Sequence, residues 1–180
     1  MDHLEYLEMK NDYIENIVAH MQDSGGMFTH IALFGIKKDG ENQKGIVHIP
    51  ISSDFLESQK TKAVFFKEVV PKIAKKVKEE FDIYSSCFTS EAWVRKADID
   101  SDVSELMDSA IKQEALIIIH VNNEQGIVSE IYDVERLGKK VNETGDLVDI
   151  VNLNYNEKFS KMDDSTISET PMISALKLFI

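Results

Sequence analysis

Apolar and polar positions alternate along this chain with two different periods, and the change of period marks out its elements. Residues 115–121, Ala-Leu-Ile-Ile-Ile-His-Val, are apolar except for one histidine and include three consecutive β-branched isoleucines. A run that leaves neither side for water predicts a central strand covered on both faces. Around it, residues 3–22 place Leu4, Leu7, Ile14, Ile17, Val18 and Met21 near a 3.6-residue repeat, so a helix is expected there. Gly25-Gly26 follows, where a helix C-terminus favours positive φ. Residues 27–36 predict an interior strand, with His30, Ala32 and Phe34 on one face and Ile31 and Leu33 on the other. Asp39-Gly40 signals a turn, and residues 45–51 read as the return strand, ended or held to an edge by Pro50.

The longest helical stripe, Leu56, Ala63, Phe66, Val70, Ile73, Val77 and Phe81, covers residues 54–81 and contains Pro71. Proline removes a hydrogen bond and crowds the preceding turn, so a kink or a junction of two helices is expected near residues 68–70. Ser53 or Asp54 is the expected cap, with Asp54 and Glu57 spaced as a capping box. Residues 84–97 predict a strand with Tyr84, Phe88, Ala92 and Val94 on one face and Cys87, Glu91 and Trp93 on the other. A short helical pattern from Val103 to Ile111 leads into the central strand. Residues 127–134 and 146–153 alternate as half-exposed antiparallel strands do. Residues 154–170 are polar and read as a surface loop. Residues 171–180 form an apolar tail that opens as a helix capped by Thr170 and must bury itself on this domain or on a neighbour. The sum is one α+β domain over residues 1–180: a largely antiparallel sheet of five to six strands against an N-terminal helix and a long kinked helix.

Charge narrows the partners. The chain carries a formal net charge of −12, a field that repels phosphate backbones, so nucleic acid is not an expected partner. Residues 54–82 hold seven lysines and six acids, and the excess of acid lies elsewhere. Lys72, Lys75, Lys76 and Lys78 read as a solvated helix face, or else as a docking patch for an acidic partner. No apolar run approaches the ~20 residues that span a bilayer. A single cysteine and an acidic first turn without an apolar leader point to a cytoplasmic protein.

Few residues suggest chemistry. Phosphate-loop, dinucleotide-loop, metalloprotease-helix and nucleophile-elbow patterns do not occur. Three strand histidines, His30, His48 and His120, are the candidate metal ligands, with Glu91 as a carboxylate ligand or base. A two-residue turn at Asp39-Gly40 puts His30 and His48 on opposite faces, whereas a five-residue loop puts them on one, so the metal reading needs the longer loop. Cys87 is a nucleophile only if a base lies beside it and its pKa is lowered. Glu91 beside Trp93 marks a candidate binding face.

Ser90-Glu91-Ala92-Trp93, followed some twenty residues later by Glu114-Ala115-Leu116, resembles a group of bacterial and phage proteins to which no activity is assigned. The chain departs from that group in having Lys112-Gln113 before Glu114, where an arginine is expected. The resemblance implies an α+β fold and transfers no catalytic residue.

These readings favour a binding or interaction protein without an enzymatic role or cofactor, self-associating or meeting a protein partner. One form is an acidic inhibitor or immunity-type protein that a basic partner finds by electrostatic steering. The alternatives are a small metal-dependent hydrolase built on the histidines and a small-molecule-binding domain at Glu91 and Trp93.

Overall fold

In the computed structural model, residues 1–26, 29–95, 112–157 and 170–180 are described. They form a single α+β domain around a six-stranded, wholly antiparallel sheet. The strands are β1 (His30–Lys37), β2 (Lys44–Pro50), β3 (Phe81–Arg95), β4 (Lys112–Asn122), β5 (Gly126–Val141) and β6 (Leu147–Tyr155), in the order β2-β1-β3-β4-β5-β6. The isoleucine-rich run is β4, flanked by β3 and β5, and Leu116 and Ile118 are fully buried.

Helix α1 (His3–Ser24) covers one face. The Asp2 side chain accepts from the Glu5 amide and Glu5 returns the bond, while Gly25 closes the helix at φ 77°. Its buried stripe keeps Ile17 and Met21 of the expected one but adds Tyr6 and Tyr13, and Leu4 is exposed. The two tyrosines lie two turns apart and find hydroxyl partners in the sheet, so they win the inward side.

The other face carries α2 (Ser53–Leu56), α3 (Gln59–Val64), a π-helical turn (Phe65–Val69), α4 (Val70–Glu80) and α5 (Pro171–Leu176). The long helix expected over residues 54–81 is therefore broken. Ser52 precedes α2 without a side-chain cap, and the capping box is formed by Ser58 and Thr61 at the start of α3. Pro71 has no N–H for the Lys67 carbonyl, and the wide turn just before it absorbs that loss: the Val70 amide reaches the Phe65 carbonyl. Opening the turn also lets consecutive Phe65 and Phe66 both face inward, 3% and 7% exposed.

The C-terminal tail buries on its own domain, with Ile173, Ala175, Leu176 and Phe179 in the core and the Thr170 hydroxyl capping α5. Lys78 of the expected lysine patch donates to the Leu178 and Ile180 carbonyls. The short helix read at 103–111 lies outside the described residues, as does most of the loop read at 154–170. Tyr155 of that stretch instead completes β6, and the Asn156 amide still reaches β5 at the Ile131 carbonyl.

Candidate binding site

The antiparallel registers decide which side chains meet. His30 pairs with Pro50 and Ala32 with His48, so the turn is centred on Gly40, six residues (38–43) join β1 to β2, and both histidines point toward α1. Cys87 pairs with His120 on the same side. All three histidines thus share one face, but they do not converge. The His30 and His48 rings are 5.3 Å apart, whereas His120 stands two strands from β1 with its own partners. Among the described residues no three His, Cys, Asp or Glu side chains lie close enough to hold a metal ion.

What the α1 face holds is two buried polar chains. In the first, the Tyr6 hydroxyl bonds His120 Nδ1 at 2.9 Å, His120 Nε2 bonds Glu130 at 2.9 Å, and Lys10 closes the series on Glu130 at 2.8 Å. Burial alone raises the Glu130 carboxyl, but the bonds and charges of His120 and Lys10 outweigh it and bring it to about 2. In the second, the Tyr13 hydroxyl lies 2.6 Å from both His30 Nε2 and Thr89 Oγ1. Burial raises both tyrosine hydroxyls well above their ordinary range, so they act as neutral groups. The Cys87 thiol is pushed up to about 12 by burial, the opposite of what a nucleophile requires. These contacts fix α1 on the sheet.

Glu91 lies on the same face, at the far end of β3. It is 3.5 Å from Arg136, whose guanidinium clamps Glu114 in a two-pronged pair and reaches Asp149 at 3.1 Å. Burial raises Glu114, and the Arg136 bonds more than reverse this, holding it ionised. Gly26 follows the helix terminus here, where an added Cβ would lie 3.4 Å from Glu91. The Trp93 backbone pairs with Glu114, and its side chain lies outside the described residues. Tyr84 was expected with Phe88, but the register shift opposite Phe34 and Gly35 turns it toward α1, where its ring lies 5.3 Å from Tyr6.

The opposite face holds a cavity of about 670 Å³. Its floor is Phe88, Ile117 and Ile119, and its far wall is Phe66, Ala63 and Met172. Polar groups gather at the margin: Gln59 and Lys62 of α3, and the Thr29 and Ser90 hydroxyls, 2.8 Å apart. The segment Ser90–Ala92 forms one side of the cavity, but the floor at Phe88 belongs to the face opposite the one expected to bind, where the Glu91 carboxylate meets Arg136. Sequence reasoning missed Arg136, Tyr6 and Tyr13. For the tyrosines a signal was present, two hydroxyl-bearing rings seven residues apart on one helix, while Arg136 offers none before the β5 register is known.

No family model, curated protein or solved structure matches this chain.

Proposed function

We propose that the protein is a binding protein without an enzymatic role, and that its ligand is a small, mainly apolar molecule with a polar end, seated between β3–β4 and the π turn. The observation that carries this reading is the cavity. Its size falls within the roughly 300–1,000 Å³ typical of ligand pockets, and it combines an apolar floor with a few convergent polar groups. The position of the π turn supports it, since such turns often accompany functional sites. The side chains best suited to acid–base or nucleophilic work, His30, His120 and Cys87, point to the other face, which favours binding over hydrolysis.

Native mass spectrometry of the purified chain tests the reading. The expected spectrum carries an adduct of small-molecule mass that is absent from Ala63→Trp, whose indole fills the cavity. Identical, ligand-free spectra, together with no uptake of the apolar anion anilinonaphthalene sulfonate by either form, would sink it.

A further inference from the structure

The two edges of the sheet are built differently. The β2 edge carries Lys44 at one end and Pro50 at the other, residues that discourage pairing with another strand. The β6 edge, Leu-Val-Asp-Ile-Val-Asn-Leu-Asn-Tyr, has nine residues, one charge and neither lysine nor proline. Among the described residues β6 pairs only with β5, so alternate backbone N–H and C=O groups face outward along its length. Its ends are apolar and open to water, Leu147 at 63% exposure and Tyr155 at 53%.

We propose that β6 is a self-association edge: two copies of this chain pair their β6 strands antiparallel about a two-fold axis at Val151, joining two six-stranded sheets into one. What fits this edge must be a strand, because a row of backbone donors and acceptors is satisfied by another such row. That the strand is a second copy follows from the positions of the exposed side chains. Leu147 and Tyr155 lie symmetrically about Val151 and on one face, so full overlap of the nine residues sets Leu147 of each copy opposite Tyr155 of the other.

Within its own chain Tyr155 already packs against Tyr132, with ring centroids 5.5 Å apart, and Leu147 stands opposite the exposed Val141. The pairing therefore completes an apolar row, Val141 and Leu147 continuing into Tyr155 and Tyr132 of the second copy, and the axis repeats it. Cross-strand aromatic–aliphatic pairs of this kind are the stabilising unit of a sheet. The same register sets Asp149 opposite Leu153, so like charges do not face each other. A register centred on Asp149 would oppose two carboxylates. The Gln22 side chain approaches the Val151 carbonyl at 3.4 Å, and a carbonyl has a second lone pair for another donor.

Sedimentation equilibrium of the full chain is the first test, with a species of twice the 20.5 kDa chain mass expected to grow with concentration. Leu147→Lys, which changes a side chain 63% exposed and leaves the Tyr155–Tyr132 pair intact, is expected to sediment as a monomer with an unchanged circular dichroism spectrum. The register is read by Leu147→Cys/Tyr155→Cys under mild oxidation. Within one chain these positions are roughly 27 Å apart along an extended strand and cannot bridge, whereas opposite each other across the axis they can. A covalent dimer from the double variant and none from either single variant supports the proposal. A monomer at every concentration overturns it, as does cross-linking by a single variant as readily as by the double. Neither failure bears on the cavity, whose readout is a bound small molecule.

Discussion

The two faces of the sheet are covered by helices in opposite ways. On the α1 face, long polar side chains reach across the interface and end on one another: Tyr6 on His120, His120 on Glu130, Tyr13 on His30 and Thr89. On the other face, the π turn, α4 and α5 meet the sheet residues Ile31, Leu33 and Val121 through Phe65, Phe66, Val70, Ile173 and Leu176, an apolar layer with a cavity beside the π turn. Hydrogen bonds are directional and costly to leave unmade, so they hold a helix in one place. Apolar contact is non-directional and prescribes no single partner, so an apolar-lined cavity can accept a ligand of matching shape. The histidines that looked most like chemistry belong to the first, fastening face.

Substitutions on the two faces should differ accordingly. The largest effect is expected on the apolar side: Leu176→Ala, at a fully buried position, should cost about 2–5 kcal/mol by chemical denaturation. Next comes the acid response of the α1 face. Glu130 is held near 2 in the folded chain against an ordinary value of 4.5. Its contribution is therefore complete above pH 4.5 and is lost as pH falls from there toward 2. That difference corresponds to the order of 3 kcal/mol, and Glu130→Gln should flatten this part of the stability–pH curve. A curve of unchanged shape would separate Glu130 from the network.

Tyr13→Phe removes one hydroxyl and strips a partner from both His30 and Thr89, for an expected loss of about 1–3 kcal/mol in the same denaturation assay. A change near zero would place α1 under apolar control and erase the contrast between the faces. The smallest effect is expected at Leu4, 67% exposed on α1, where Leu4→Ala should stay within about 0.5 kcal/mol.

Much of this architecture was legible in the sequence because its strands are strongly patterned. The isoleucine run could only be a covered strand, and Gly25-Gly26 and Thr170-Pro171 marked helix ends through backbone preferences that tertiary context rarely overrides. The break in the long helix was legible at Pro71, but its form was not, since a π turn is a cooperative adjustment of the chain around a missing donor. The placement of the histidines turned on the parity of one loop, and composition alone does not set its length. Neither the Arg136 clamp nor the cavity could be read. Each depends on side chains brought together from strands or helices far apart in sequence, as Glu91, Glu114 and Asp149 are around Arg136.

Amide chemical-shift mapping of the full chain during titration with anilinonaphthalene sulfonate puts the division of labour to its most direct test. The account predicts shifts concentrated at Ala63, Phe88, Ile117 and Ile119 around the cavity, with Tyr6, Tyr13, His30 and His120 unmoved. Shifts centred on the α1 face, or none on either face, would contradict it.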